Sequence, residues 1–101
     1  MSMWAAMGDP TRRAIFERLV ERPRAVSELA DELPVSRPAV SQHLRVLGDA
    51  GLVRHRRVGK QHVYHVDREG LAALRAQLDA FWSKTLATYK ELAEQPPKEG
   101  Q

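Results

Sequence analysis

Apolar residues recur at helical spacing in the first part of the chain. Between residues 10 and 22 they form one side of a predicted helix, and these residues are Ala14, Ile15, Leu19 and Val20. Asp9 suits the N-cap and Pro10 the first helical position, where the missing N–H of proline costs nothing. Pro23 is expected to end the helix. A short apolar segment with Trp4 and Met7 precedes it at residues 3–7.

The segment "SELADEL" predicts a second, shorter helix. Ser27 is its expected N-cap, since a serine hydroxyl can accept a hydrogen bond from a free backbone N–H of the first turn. Leu29 and Leu33 lie four residues apart, and therefore on one side of the helix. Pro34 is expected to end it.

A third helix is predicted immediately afterwards. Ser36 is its expected N-cap, and Pro38 falls within the first turn, where proline is tolerated. The inward side is predicted from apolar residues spaced by four and three, which are Val40, Leu44 and Leu47. Gly51 suits the left-handed conformation in which helices often end.

Two strands joined by a tight turn come next. The segments "LVRHRRV" and "QHVYHVD" are rich in Val, Tyr and His, and the "GK" between them is typical of a hairpin turn. From Glu69 to about Glu94 a helical stripe then follows, formed by Leu71, Leu74, Leu78, Trp82, Leu86, Tyr89 and Ala93. The polar residues 95–101 are expected to be a disordered tail.

These elements predict a mainly α-helical domain with a small β-hairpin. Two short helices followed by a basic hairpin are typical of a winged helix-turn-helix domain. We assign residues 1–94 to this domain, with the helix-turn-helix at 27–48, the wing at 52–66 and a long C-terminal helix at 69–94.

Charge is concentrated in the predicted wing. The whole chain of 101 residues carries a net charge of +3, yet residues 54–60 contain four cations and no acid. These cations are Arg54, Arg56, Arg57 and Lys60. A basic block on a nearly neutral body favours contact with a polyanion over an ordinary solvated hairpin.

The chain contains no cysteine, which excludes disulfides, thiolate metal sites and cysteine nucleophiles. We see no signal peptide in "MSMWAAMGDP" and no run of about 18 apolar residues that would span a membrane. We therefore expect a cytoplasmic protein without a membrane partner.

The polar side of the third helix carries groups that can read DNA. Arg grips guanine with two hydrogen bonds, Gln pairs with adenine, and Ser bonds to bases or phosphates, so Arg37, Ser41, Gln42 and Arg45 are candidates. His43 has two interpretations of equal weight, contact with DNA or packing inside the domain. The wing cations would hold phosphates and contribute affinity more than sequence choice.

Three segments resemble the ArsR/SmtB family of bacterial transcriptional regulators. They are "GDPTRRAIFERL", "VSELADELPVSRPAVSQHLRVLGDAGLVRHRRVGKQHVYHVD" and "FWSKTL", and the resemblance covers residues 3–93. It implies a homodimer that binds palindromic double-stranded DNA and represses a promoter until a signal relieves it. It also implies that residues 36–45 are the recognition helix.

The residues that we expect to contact DNA lie in this helix and in the wing. They are Ser36, Arg37, Pro38, Ala39, Ser41, Gln42, His43, Arg45, Arg54, Arg56, Arg57, Lys60 and Gln61. The family's first and last helices form its dimer interface. By that resemblance, we expect an interface of Trp4, Met7, Leu74, Leu78, Phe81, Trp82 and Tyr89. A ligand groove between subunits is the less favoured use of this aromatic stripe.

The sequence departs from the metal-sensing members of the family. Their Cys-x-Cys pair corresponds here to Ala25 and Ser27, and residues 69–93 contain no histidine. His55 and His65 are a candidate pair across the hairpin, although ordinary strand histidines are the favoured interpretation because no third ligand has a fixed spacing. We therefore assign no metal site and no cofactor, and a metal-responsive regulator that uses these histidines is the alternative.

Two other classes of function fit the sequence less well. A winged-helix protein-interaction module would not need both a polar third helix and a cationic wing. An enzyme is disfavoured because no nucleophile–base pair, carboxylate dyad or phosphate-binding glycine loop occurs at an informative spacing. The operator and any small-molecule or protein co-regulator cannot be identified from the sequence.

Overall fold

The structure is a computed structural model and describes residues 2–95, which fold into five helices and three strands. In chain order these are α1 (Met3–Ala6), α2 (Pro10–Glu21), β1 (Arg24–Ala25), α3 (Val26–Glu32), α4 (Arg37–Asp49), β2 (Val53–Val58), β3 (Gln61–Val66) and α5 (Arg68–Glu94). The predicted mainly α-helical class with a hairpin is confirmed. Except for Gln95, the predicted disordered tail lies outside the described residues.

Side-chain caps set the beginnings of the longer helices. The Asp9 carboxylate accepts a hydrogen bond of 3.0 Å from the backbone N–H of Arg12 and begins α2. The Ser36 hydroxyl accepts one of 3.3 Å from the N–H of Ala39 and begins α4. Both predicted caps are therefore confirmed, and each occupies a backbone donor that the helix leaves unpaired.

The predicted cap of α3 is wrong. Ser27 lies inside the first turn, and the helix begins one residue earlier, at Val26. The Glu28 side chain instead reaches back and accepts a hydrogen bond of 3.1 Å from the N–H of Ala25. This hydrogen bond holds the pKa of Glu28 below its ordinary value, and the neighbouring Arg22 lowers it further. The side-chain hydrogen bond at the beginning of α3 is thus made by a glutamate at the third helical position and not by Ser27.

The hairpin is confirmed and is joined by a third strand that was not predicted. The strands lie in the order β1-β3-β2, and both pairs are antiparallel. Gly59 and Lys60 form the turn, and Gly59 has a φ of 62°, which glycine adopts without strain. β1 pairs Arg24 with Tyr64 and Ala25 with Val63. Two residues are too few to show a strand pattern in the sequence.

The core lies between α2, α3, α4 and the beginning of the wing. Its largest fully buried side chains are Ile15, Leu29, Val40, Leu44, Leu47 and Leu52. The predicted inward side of α4 is therefore confirmed, since all three of its apolar residues are inaccessible to solvent. Burial of this stripe fixes which side of α4 faces outwards.

One arginine is buried where β1 meets the helices. Arg24 is 5% exposed, and its guanidinium forms ion pairs of 2.7 Å with Glu32 and 3.2 Å with Glu21. It also donates a hydrogen bond to the backbone oxygen of Arg18. Burial lowers the pKa of Arg24, but the two carboxylates outweigh it and the net pKa lies above the ordinary value. This cluster joins β1 to both α2 and α3.

The beginning of α5 packs tightly against the loop that follows α4. A Cβ atom placed on Gly70 would lie 1.9 Å from the backbone oxygen of Gly51, which has a φ of 80° and ends α4 as predicted. The N–H of Asp67 also donates a hydrogen bond of 2.9 Å to the oxygen of Leu52. Only a glycine at position 70 permits this approach.

Replacement of Gly70 by alanine is expected to lower the free energy of unfolding by at least about 2 kcal/mol, because the new methyl group overlaps backbone. Urea denaturation at fixed protein concentration measures this change. Gly48→Ala is the matched control, since a Cβ there would lie 4.0 Å from the oxygen of Val53 and the residue is helical. It should stabilise the protein by about 0.5–1 kcal/mol. Equal effects of the two changes would contradict this account.

Candidate nucleic-acid interface

The side of α4 opposite the core is a polar ridge. Pro38, Gln42, Arg45 and Asp49 follow one another at intervals of four, three and four residues, and all are exposed. Residues at this spacing share one side of a helix. The ridge is therefore a continuous strip that solvent or a partner can reach along the whole of α4.

The beginning of α4 and the wing line one open groove of about 310 Å³. Arg37 and Ser41 contribute from α4, and Lys60, Gln61 and His62 contribute from the turn and β3. The floor is formed by residues 25–27, where β1 runs into α3. The structure thus brings together candidate residues from the third helix and from the wing, although they are up to 25 positions apart in the sequence.

Ser36 and Ala39, two candidate DNA contacts, lie at the beginning of α4. The Ser36 hydroxyl accepts the capping hydrogen bond, and its remaining proton is free to be donated outwards. Ala39 is half-buried on the flank of the helix. Both nevertheless belong to the first turn, where backbone N–H groups without helical partners can bind a phosphate.

His43 lies on the flank of α4 nearest the beginning of α2. It is half-buried, and its Nδ1 atom is buried with no hydrogen-bond partner among residues 2–95. It is close enough to Asp9 to contribute to the lowered pKa of that carboxyl, although the hydrogen bond from the backbone of Arg12 is the main cause. This position favours the packing interpretation of His43 over contact with DNA.

The wing cations divide between the two faces of the hairpin. Because side chains alternate along a strand, Arg54 and Arg56 share one face, and His55 and Arg57 share the other. Arg54 forms an ion pair of 3.2 Å with Asp67 at the base of the wing. Arg57 donates a hydrogen bond of 3.1 Å to the oxygen of Gly59 and so stays at the tip.

The suggested pairing of His55 with His65 is wrong. In the observed register, His55 is opposite Tyr64 and His65 is opposite Arg54, so the two histidines lie on different faces of the hairpin. His55 instead contacts His62, with ring centroids 5.4 Å apart, and Tyr64, with centroids 4.9 Å apart. Residues 2–95 contain no group of three or more His, Asp or Glu side chains placed to hold a metal ion.

Comparison with known proteins agrees with this geometry. A family model described as a helix-turn-helix domain matches residues 7–56. The HTH-type transcriptional regulator Rv2034 of Mycobacterium tuberculosis is 58% identical over 89 residues, which are 88% of this chain and 83% of the relative. A crystal structure of a "possible transcriptional regulator for arsenical resistance" is 39% identical, with a TM-score of 0.79 over 96% of this chain and 99% of the other.

A third similar protein is Mb0332 from Mycobacterium bovis. It is described as a homodimeric winged helix-turn-helix DNA-binding domain and a possible ArsR-family regulator. It is 28% identical, with a TM-score of 0.66 over 82% of this chain and 77% of the other.

The chain belongs to the ArsR/SmtB family of transcriptional regulators. It is a winged helix-turn-helix protein, with α3 and α4 as the helix-turn-helix and β2 and β3 as the wing. The function expected from the sequence, that of a DNA-binding transcriptional regulator, is confirmed. No helix within residues 2–95 has both the length and the apolar character needed to cross a membrane.

Some features of this ArsR/SmtB protein were not anticipated from its sequence. One is the floor of the groove at residues 25–27, which depends on how β1 packs against the wing. Another is the ion pair between Arg54 and Asp67, which depends on how the beginning of α5 packs there. The contact between His62 and His55 could have been predicted from the sequence. A two-residue turn at Gly59 and Lys60 fixes the register of the hairpin.

From the geometry we expect two kinds of contact with DNA, which mutation can distinguish. Gln42→Ala on the polar ridge should weaken binding to the cognate site by about 1–3 kcal/mol and leave binding to random DNA nearly unchanged. Arg57→Ala at the wing tip should weaken both alike and reduce the slope of log K against log salt by about one unit.

Fluorescence anisotropy at several salt concentrations measures both effects. Arg75→Ala is the control, because Arg75 lies on α5 and forms an ion pair with Asp79, away from the groove and the ridge. The division of roles would be wrong if Gln42→Ala weakened binding to random DNA as much as binding to the cognate site.

Proposed function

We propose that the protein is a homodimeric repressor that binds a palindromic operator and acts by binding rather than by catalysis. The observation that carries this proposal is that two exposed surfaces share the helix α4. The groove joins Arg37 and Ser41 of α4 to Lys60 at the wing tip, and the polar ridge runs along the exposed side of the same helix. In this arrangement α4 enters the major groove, and the wing follows the phosphate backbone towards the minor groove.

The ridge and the groove have different parts in the proposed complex. Gln42 and Arg45 carry side chains that match adenine and guanine edges, and the ridge is opposite the buried stripe. Arg37 and Lys60 both line the groove, where their charges would attract a phosphate. Arg56 and Arg57 add positive charge along the hairpin. Base reading is thus assigned to the ridge, and affinity to the groove and the wing.

An exposed aromatic surface supports the homodimer. Trp4 of α1 and Phe81 of α5 are each 47% exposed and contact each other with centroids 5.4 Å apart, and Trp82 beside them is 51% exposed. Of the 27 residues of α5, only Gly70 is buried. An apolar patch of this kind on a small protein marks an interaction site. The proposed interface comprises Trp4, Met7, Leu74, Leu78, Phe81, Trp82 and Tyr89.

A two-fold axis at this interface would present two copies of α4 to one side of the DNA. Such a dimer requires two half-sites about 34 Å apart, which is one turn of the double helix. The homodimeric description of Mb0332 supports the same assembly. Repression follows where the operator overlaps a promoter, and we place this activity in the cytoplasm.

The function is tested by fluorescence anisotropy with the DNA upstream of the protein's own gene, in the presence of excess random competitor. We expect binding that survives the competitor and weakens with rising salt. A footprint with two-fold symmetry is expected on the same DNA. Binding that the competitor abolishes on this DNA and on a library of random sites would overturn the proposal in favour of a protein-interaction module.

The interface is tested separately by Phe81→Glu, which places a charge in the centre of the proposed contact. The dissociation constant of the dimer should rise at least about 30-fold, as expected for loss of an interface hot spot. Sedimentation velocity across a concentration series measures this change, and circular dichroism confirms that the variant is folded. Ala76→Glu is the matched control on the opposite side of α5. A dimer equally stable in both variants would place the interface elsewhere.

A further inference from the structure

A second cleft lies between the end of α2, the hairpin and the beginning of α5, and none of its lining residues belongs to α4. Its volume is about 490 Å³, within the range of about 300–1,000 Å³ typical of small-molecule sites. Apolar side chains from three elements line it, and these are Leu19, Val20, Val66 and Leu71. Val20 is 54% exposed and Leu71 is 37% exposed, so this apolar lining is open to solvent.

Two arginines reach the same cleft from different elements. Arg56 comes from β2 and Arg68 from the first turn of α5, and both are exposed. Neither forms an ion pair or a hydrogen bond with any residue of the described part of the chain. Two unpaired guanidinium groups therefore border an apolar surface.

The other charged groups of the cleft are already paired. Arg22 forms ion pairs of 3.1 Å with Glu28 and 3.6 Å with Glu32. Glu21, the carboxylate of the lining, is 3.2 Å from the buried Arg24. The uncompensated charge of the cleft is thus positive, and it comes from Arg56 and Arg68.

We propose that this cleft binds a small amphipathic carboxylate. Guanidinium groups hold carboxylates through paired, charge-assisted hydrogen bonds, which accounts for Arg56 and Arg68. The hydrocarbon part of the ligand would cover Val20 and Leu71 and remove their apolar surface from water. A DNA phosphate would use the arginines but not this apolar lining, so the combination favours an amphipathic anion over the nucleic-acid backbone.

Binding at the cleft would also weaken the interaction with DNA, and this part rests on the proposed function. Arg56 belongs to the wing, where its charge adds to the attraction for phosphates. A carboxylate bound to Arg56 neutralises that charge and adds a ligand at the base of the wing. The expected result is a lower affinity for DNA in the presence of the ligand.

Titration of the 101-residue protein with decanoate, followed by the chemical shifts of its backbone amides, tests the site. Saturable shifts are expected at Val20, His65 and Leu71, which lie around the cleft. Decanol lacks the carboxylate and acetate lacks the hydrocarbon chain, so each should bind at least about tenfold more weakly. Shifts that never saturate, or that are confined to Trp4, Leu74 and Leu78, would overturn the proposal.

Arg68→Gln identifies the contribution of the second arginine without changing any proposed DNA contact. It should raise the dissociation constant for decanoate at least about tenfold, whereas the control Arg75→Gln should leave it unchanged. Equal affinities in the two variants would overturn the assignment.

The regulatory part is measured by anisotropy with cognate DNA. At a concentration equal to its dissociation constant for the wild-type protein, decanoate should weaken DNA binding of the wild-type protein and have a much smaller effect on Arg68→Gln. Saturable decanoate binding without any change in DNA affinity would overturn the regulatory part alone. Failure to bind specific DNA at all would overturn the proposed function, and the chemical-shift titration would still decide whether the cleft is a site.

Discussion

A buried ion pair at the edge of the small sheet holds the DNA-binding elements in their relative positions. Arg24 belongs to β1, which pairs with β3 of the wing, whereas Glu32 belongs to α3 of the helix-turn-helix. Their 2.7 Å contact therefore links the sheet that contains the wing to α3, the helix that precedes α4. The free energy of desolvating the two charged groups offsets much of the stabilisation from their electrostatic attraction. The contribution of this pair is therefore mainly to orientation, and the groove between α4 and the wing depends on it.

The same cluster explains why so short a strand is stable. Two residues offer few hydrogen bonds, and isolated pairs of strands are marginal in water. Arg24 compensates because its guanidinium is surrounded by acceptors from α2 and α3, which include the carboxylates of Glu21 and Glu32. β1 thereby continues the sheet into the body of the domain.

Much of the fold could be predicted from local signals, whereas most of the failures concern contacts between elements that are distant in sequence. Asp9 and Ser36 act as caps as expected, because capping depends only on neighbouring residues. β1 escaped prediction because it has only two residues and pairs with β3, which is distant in sequence. The histidine pair was assigned wrongly although the two-residue turn fixes the register and places His55 opposite Tyr64. The two clefts required tertiary packing, which no periodicity reveals.

The proposed dimer interface and the wing are connected at the beginning of α5. The Asp67 carboxylate caps this helix and also forms the ion pair with Arg54, while its N–H donates to the oxygen of Leu52. Three residues later, Gly70 is pressed against the backbone of Gly51. The aromatic surface of α5 is thus connected to the wing through rigid backbone contacts rather than a flexible linker. A ligand that displaces the first turn of α5 would therefore either move the wing with it or break the contacts of Asp67 with Leu52 and Arg54.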